Sequence, residues 1–146
     1  MVKHTARAVA FATMVFVAGF LAGDISQSWS VARAQSQRVF EVRTYTTAEG
    51  KLQDLHKRFR EHTMRIFKKH GMESVIYLAP QDAPDKDNTL IYIISHASRE
   101  QAKKNWADFQ ADPEWVKVAA DSQVNGRIVS KVESTYADAT DYSPLK

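Results

Sequence analysis

The chain has 146 residues, of which 44% are hydrophobic and 25% are charged, so its composition is that of one globular domain and not of a disordered chain. It contains no cysteine, which excludes disulfide bonds, thiol catalysis and cysteine-ligated zinc or iron–sulfur sites. The formal net charge is +3. Because the basic residues form no block of the kind that binds nucleic acid, no nucleic-acid partner is expected.

The first 34 residues have the pattern of a secretory signal peptide. A basic start precedes an uncharged apolar run at residues 8–22, and the small-x-small pattern Ala32-Arg33-Ala34 follows. We expect export and removal of residues 1–34, which hold three basic residues and one acidic residue, leaving a periplasmic or secreted domain of residues 35–146 with a charge of +1. The alternative is an uncleaved segment in which residues 8–22 anchor the chain, and no other membrane contact is expected.

Hydrophobic periodicity predicts four strands in the rest of the chain, because apolar residues alternate or run continuously over short stretches bounded by turn residues. These strands are Arg38–Thr47, Met72–Ala79, Thr89–His96 and Ile128–Tyr136. The third is the most continuously apolar, which favours a central position in a sheet.

Two helical regions separate these strands. The first is predicted from Leu52 to His70, where apolar residues recur at a period near 3.6: Leu52, Leu55, Phe59, Thr63 and Ile66. Ser98, with Gln101 three residues later, is typical of a capping box and begins the second, and Asp112-Pro113 begins a further helical segment.

The order β-α-β-β-α-β predicts an α+β fold of the ferredoxin-like kind, a four-stranded antiparallel sheet with both helices on one face. In the first strand we expect Phe40 and Val42 to pack under the helices, and Arg43 and Tyr45 to lie on the uncovered face. A face that mixes charges with aromatic and aliphatic residues is disfavoured in water. It is therefore expected to pack against a second copy of the chain and to enclose a cavity, and a solvated face is the alternative.

The best candidate ligand site combines Glu41, Arg43, Tyr45 and Tyr77. Arginine binds a carboxylate with two hydrogen bonds, and tyrosine can donate to an oxyanion or act as an acid, so an enclosed group of this kind suits a small acidic or quinone-like molecule. Trp106 is a candidate for stacking on that molecule, although such an aromatic is more typical of a core or an interface. The alternative is an Arg43–Glu41 ion pair at the seam of a dimer.

The five histidines do not have the spacing of metal-ligand pairs, so neither a metal nor another cofactor is expected. His62 lies between Phe59 and Ile66, a position typical of a core histidine, and its alternative role is that of a base facing the pocket. His96 ends a strand and could act as a base, bind haem or hydrogen-bond a loop carbonyl. His62, His96 and Tyr45 are therefore only weak candidates for catalysis.

Five segments carry a resemblance to a known family: VRTYTTAEGKL, FKKHGM, NTLIYIISHASRE, WADFQADPEWVKV and KVESTY followed by TDYSP. In this order they resemble the NIPSNAP family over about residues 38–144. The resemblance implies a ferredoxin-like homodimer of the dimeric α/β-barrel superfamily, which also includes cofactor-independent monooxygenases and haem-handling enzymes. It supplies no catalytic motif.

The expected function is therefore that of an exported homodimer which binds a small apolar or aromatic molecule inside the barrel. Two alternatives remain at this point. One is a non-catalytic envelope module that binds a protein or lipid, and the other is a cofactor-independent monooxygenase-like enzyme in which Arg43 orients the ligand.

Overall fold

The computed structural model describes residues 38–145, and the signal-peptide prediction lies outside them. The strands are β1 (Val39–Thr47), β2 (Glu73–Leu78), β3 (Thr89–His96) and β4 (Val129–Asp138). The helices are α1 (Leu52–Arg58), α2 (Met64–Lys69), α3 (Arg99–Ala111) and α4 (Pro113–Asp121). A π-helical segment, Phe59–Thr63, joins α1 to α2, and a short 3-10 turn, Asp85–Asp87, precedes β3. The four strands and the helical regions predicted from the sequence are confirmed.

The four strands form one antiparallel sheet in the order β2-β3-β1-β4. This is the strand order of the ferredoxin-like arrangement, so the predicted fold class is confirmed. The inner strands are β1 and β3, and the continuously apolar sequence of β3 agrees with its inner position.

The core lies between the sheet and the helices. The predicted helical stripe is buried along its whole length, since Leu52, Leu55, Phe59, Thr63 and Ile66 are each at most 7% exposed. Aromatic rings fill much of the space between the layers, and they meet mainly edge to face, which is a favourable geometry for aromatic pairs. The rings concerned are those of Phe59, Phe67, Tyr92 and Trp106.

The predicted orientation of β1 is wrong, because the opposite side of this strand meets the helices. Glu41 is fully buried and accepts a hydrogen bond from Trp106 of α3. The Arg43 guanidinium lies over the same indole ring. Alternation along the strand therefore places Phe40 and Val42 on the other side of the sheet.

That other side carries a contiguous set of apolar side chains, which we call the open face. Residues paired across antiparallel strands point to the same side, and Val42 pairs with Ile93, which in turn pairs with Ile76. The open face consists of Phe40 and Val42 from β1, Ile91 and Ile93 from β3, and Ile76 and Leu78 from β2. Ile76 and Leu78 are 43% and 44% exposed.

The edge strand β4 is exposed along almost its whole length, with only Val129 and Tyr136 half-buried. It pairs with β1 on one side only. Val132, whose side chain points to the helical side of the sheet opposite Tyr45, is nevertheless 46% exposed. The helical layer therefore covers β1 to a much greater extent than it covers β4.

Asp112 fixes the start of α4 against the end of α2. One carboxylate oxygen accepts the backbone N–H of Glu114 at 2.8 Å, which makes Asp112 the N-cap that the Asp-Pro pair predicts. The other oxygen lies 2.7 Å from Lys69 Nζ and 2.6 Å from His70 Nε2. These hydrogen bonds lower the pKa of Asp112 and hold the two helices together at neutral pH.

The turn after α2 depends on glycine. Gly71 has a φ of +72°, and its carbonyl accepts a hydrogen bond of 2.9 Å from the Asn105 amide of α3. A Cβ atom at this position would lie 3.3 Å from that amide nitrogen. We expect Gly71→Ala to lower the free energy of unfolding by about 1–2 kcal/mol for the left-handed backbone, and by a further amount for the displaced amide.

Gly50→Ala is the matched control, because Gly50 has nearly the same φ of +70° and open space around it. Chemical denaturation should show a larger decrease in the free energy of unfolding for Gly71→Ala than for Gly50→Ala. Equal losses would mean that the Asn105 contact at this turn contributes nothing.

Candidate functional site

A buried carboxylate with four donors lies at the centre of the candidate site. Glu41 Oε1 accepts hydrogen bonds from Arg43 Nη1 at 2.5 Å and Ser134 Oγ at 2.6 Å. Glu41 Oε2 accepts from Trp106 Nε1 at 2.6 Å and His96 Nε2 at 3.1 Å. A buried charge is tolerated only when it is paired and hydrogen-bonded, and here the donors come from β1, β4, α3 and β3.

The hydrogen bonds of Asn105 determine which nitrogen of His96 carries the proton. Asn105 Nδ2 donates to the Gly71 carbonyl at 2.9 Å and lies 3.2 Å from His96 Nδ1. The Asn105 carbonyl oxygen accepts from Gln101 Nε2 at 2.7 Å, which fixes the orientation of the amide. His96 Nδ1 is therefore an acceptor, and Nε2 carries the proton that is donated to Glu41.

Arg43 is held by both its charge and its flat guanidinium. Its Cζ atom lies 4.2 Å from the centroid of the Trp106 ring and 5.4 Å from that of Tyr45. Its Nη2 donates to the Tyr45 hydroxyl at 3.3 Å. Cation–π contact and the ion pair to Glu41 together restrain this side chain, which is 14% exposed.

These contacts set the charge of the pair. Burial disfavours the ionised carboxyl, but hydrogen bonds from His96, Ser134 and Trp106, with the charge of Arg43, outweigh it and lower the pKa of Glu41 to about 2. Burial likewise opposes the charge of Arg43, yet the surrounding phenols and Glu41 raise its pKa. Both groups are charged at neutral pH, and the carboxylate has no oxygen left without a donor.

The structure brings five of the candidates together and leaves two apart. Glu41, Arg43, Tyr45, Trp106 and His96 form one connected group on the helical side of the sheet. They cannot line a cavity between two open faces, so that part of the prediction is wrong. His96 bonds to the side chains of Glu41 and Asn105, as a buried residue, and not to a loop carbonyl.

Tyr77 and His62 lie outside this group. The Tyr77 ring stacks on Tyr92, with centroids 5.6 Å apart, and its hydroxyl lies 2.8 Å from Ser74 Oγ. The prediction of a core histidine is wrong, because the His62 side chain is 41% exposed and the neighbouring Thr63 occupies the core position. Thr63 belongs to the predicted buried stripe of the helix, and His62, one residue before it, lies beside that stripe.

Ser134, Asn105 and Arg58 are residues of interest that the sequence reading missed. Ser134 lies on β4 directly opposite Arg43, so the register of the sheet could have placed it beside Glu41. Asn105 lies one helical turn after Gln101, the residue that bonds to it. Arg58 follows Leu55 by three residues, which places a cation on the buried stripe of the helix.

Residues 38–145 contain neither a candidate metal site nor a candidate membrane span. No group of three or more histidine, cysteine, aspartate or glutamate side chains in this part of the chain is arranged to hold a metal ion. Over the same residues, no helix has the length and hydrophobicity needed to cross a membrane.

We expect Glu41→Gln to lower the free energy of unfolding by about 3 kcal/mol at neutral pH, because it leaves Arg43 buried without its counter-charge. The pKa of Glu41 is about 2 in the folded chain against 4.5 for an ordinary glutamate, so its contribution is complete above about pH 4.5 and is lost as the pH falls towards 2. The difference between wild type and Glu41→Gln should shrink over that window when measured by denaturant titration at each pH.

Glu133→Gln is the control, since Glu133 is an exposed glutamate of β4 that pairs with Lys131 at 3.0 Å. The Glu133→Gln substitution should lower the free energy of unfolding by less than about 1 kcal/mol at every pH. A Glu41→Gln variant as stable as this control would show that the buried pair contributes no stability.

The chain is similar to known proteins in both sequence and fold. A family model described as NIPSNAP matches residues 40–144. No curated protein sequence matches the chain. A NIPSNAP family protein of unknown function from Agrobacterium tumefaciens strain C58 superposes with a TM-score of 0.65 at 23% identity, covering 75% of this chain and 95% of the other.

Two further solved structures share the fold. An uncharacterised NIPSNAP-like domain protein from Burkholderia xenovorans gives a TM-score of 0.64 at 15% identity and covers 74% of this chain and 90% of its own. SnoaB, a cofactor-independent oxygenase from Streptomyces nogalater, gives 0.50 at 16% identity, with 75% of this chain and 99% of SnoaB covered. At these identities the likeness shows the fold alone.

Proposed function

Because the chain belongs to the NIPSNAP family, we propose that it acts as an exported homodimer whose two sheets pack face to face around a small apolar or aromatic molecule. The observation that carries this proposal is the open face, a contiguous apolar surface on the side of the sheet away from the helices. Exposed apolar patches of this kind mark interaction surfaces.

The composition of the sheet supports a second copy as the occupant of the open face. The apolar residues come from β1, β2 and β3, whereas the same side of β4 carries Lys131, Glu133 and Thr135. An apolar centre with a polar margin is the usual anatomy of a protein interface. The exposed edge of β4 leaves that margin free to meet the other subunit.

The chemistry of the open face determines the kind of ligand that we propose. Its central side chains are Val42, Ile91 and Ile93, with Phe40 at one end, so a molecule enclosed between two such faces would meet mainly aliphatic carbon. An acidic ligand bound by Arg43 is not part of the proposal, because Arg43 is held by Glu41 on the helical side.

We propose that the chain binds a small molecule and does not catalyse an oxygenase reaction like that of SnoaB. Of the three candidates for catalysis, His96 and Tyr45 are engaged with Glu41, Asn105 and Arg43. The third, His62, lies apart from them with its side chain 41% exposed. Export is part of the proposal on the strength of the sequence pattern of residues 1–34.

Ile76→Lys should convert the dimer into a folded monomer. A lysine at this position places a charge within the apolar part of the proposed interface, while the 43% exposure of Ile76 gives the new side chain access to water in the single subunit. Light scattering coupled to size exclusion at micromolar concentration should show a dimer for wild type and a monomer for the variant.

Val116→Lys is the matched control, because Val116 is 55% exposed on α4, on the helical side of the sheet. It should remain a dimer. A wild-type chain that is monomeric at these concentrations would rule out the proposal.

Ligand retention is tested by native mass spectrometry of the protein purified from its own envelope. The dimer is expected to carry an additional small mass that the Ile76→Lys monomer lacks, because the molecule lies between the two sheets. A wild-type dimer without any added mass would support the proposed dimer but contradict the proposal that it binds a ligand.

A further inference from the structure

A cavity lies on the helical side of the sheet, between the first helical region and α4. It is a cleft of about 560 Å³, a size that suits a small organic molecule. We call it the helix cleft, and its lining includes Lys57, Arg58, His62, Val118, Ser122 and Val124. These residues belong to α1, the π-helical segment, α4 and the turn that follows α4.

Arg58 is a buried cation to which the described part of the chain offers no acidic partner. It is 8% exposed, and no carboxylate of residues 38–145 lies within ion-pair distance of its guanidinium. Its Nη1 donates to Ser122 Oγ at 3.3 Å, its Cζ lies 5.4 Å from the Trp115 ring, and its Nε has no hydrogen-bond partner in the described part of the chain. One long hydrogen bond and a distant ring do little to offset the burial of a full charge.

Four acids also line the helix cleft, but none of them forms an ion pair with Arg58. Asp54 pairs with Lys51, Glu114 with Arg65 and Asp121 with Lys117, and Glu61 lies 3.8 Å from His62 Nε2. Lys57, which also lines the cleft, has no ion-pair partner among residues 38–145 either. The lining cations without an acidic partner among residues 38–145 are therefore Arg58, which is buried, and Lys57, which is exposed.

Comparison with Arg43 shows what is missing at Arg58. Both are mostly buried arginines near an indole ring, but Arg43 has Glu41 at 2.5 Å and Arg58 has no such partner. Consistent with this difference, burial lowers the pKa of Arg58, whereas that of Arg43 is raised. An anion bound in the cleft would compensate the buried charge of Arg58, as Glu41 compensates that of Arg43.

The backbone next to Arg58 is also irregular. The Met64 N–H donates to the Phe59 carbonyl in the i→i+5 pattern of a π turn, and the Thr63 hydroxyl donates to the Arg58 carbonyl at 3.2 Å. Single π turns inside helices occur frequently at functional sites. Here the turn begins one residue after Arg58 and contains His62, so it shapes one wall of the helix cleft.

We propose that the helix cleft binds a small organic carboxylate, with its charged end against Arg58 and its apolar body against Val118 and Val124. A carboxylate matches the planar, multi-donor guanidinium, and the two valines give an apolar body a surface to cover. This site is on the opposite side of the sheet from the open face, so it does not depend on the proposed dimer.

The test uses 2-naphthoate and its uncharged analogue 2-naphthamide as probes of the whole chain, followed by two-dimensional NMR of backbone amides. Millimolar 2-naphthoate is expected to shift the signals of Ser122 and its neighbours in a saturable way, and 2-naphthamide is not. Arg58→Met should weaken 2-naphthoate binding about tenfold or more, because it removes a charged donor and keeps the length of the side chain.

Arg60→Met is the matched control, since Arg60 is an exposed arginine two residues away that does not line the cleft. It should leave 2-naphthoate binding unchanged. Equal binding of the two probes, or no binding of either to the wild-type chain, would overturn the proposal without the use of any variant.

The stability of Arg58→Met separates a binding role from a structural one. Removing an uncompensated buried charge is expected to leave the thermal unfolding midpoint of the ligand-free chain unchanged or higher. A lowered midpoint together with undiminished 2-naphthoate binding would overturn the proposal and make Arg58 a structural residue. We expect the Ile76→Lys variant to bind 2-naphthoate as the wild-type chain does. This result would show that binding at the helix cleft does not depend on the proposed dimer.

Discussion

The burial of the Glu41 carboxylate is the constraint on which the rest of the structure depends. A lone carboxylate in the core would be strongly destabilising, but here donors from β1, β3, β4 and α3 reach its two oxygens. Because those donors come from separate strands and from α3, hydrogen-bonding of the one carboxylate fixes how these elements pack against each other. The face of β1 that carries Glu41 must therefore lie under the helices, and the apolar face of the same strand is left outside.

This orientation separates two kinds of surface. The helical side of the sheet contains a polar network with its own partners, and the other side carries the apolar open face. Of the two mostly buried arginines Arg43 and Arg58 on the helical side, only Arg43 has an acidic partner among residues 38–145. Arg43 has its acid, and Arg58 lies at the helix cleft without one. The first therefore explains how the subunit is held together, and the second points to a molecule from outside.

Most of the fold could be predicted from the sequence, because hydrophobic period and turn residues are local signals. The order of the strands and the buried helical stripe followed from them, and the Ser98 cap is confirmed by its 3.1 Å hydrogen bond from the Gln101 N–H. Resemblance to the NIPSNAP family was also confirmed over nearly the same residues. These features need no knowledge of which distant side chains meet.

The orientation of β1 could not be predicted by the same means. Alternation gives two faces, and hydrophobicity alone favours Phe40 and Val42 as the buried one. The opposite outcome requires Ser134, Trp106 and His96 to converge on Glu41 from 55 to 93 residues away in sequence. His62 was misplaced for a local reason, since it lies next to the buried stripe of Phe59, Thr63 and Ile66, and the spacing of that stripe leaves its neighbours partly exposed.

The most direct test is a double-mutant cycle between Glu41→Gln and Trp106→Phe, measured as free energies of unfolding in denaturant. If the carboxylate holds α3 to the sheet through the indole N–H, the two losses will fail to add, and the coupling energy will be at least about 1 kcal/mol. Strictly additive losses would contradict the burial of Glu41 against Trp106 and, with it, the assignment of the open face.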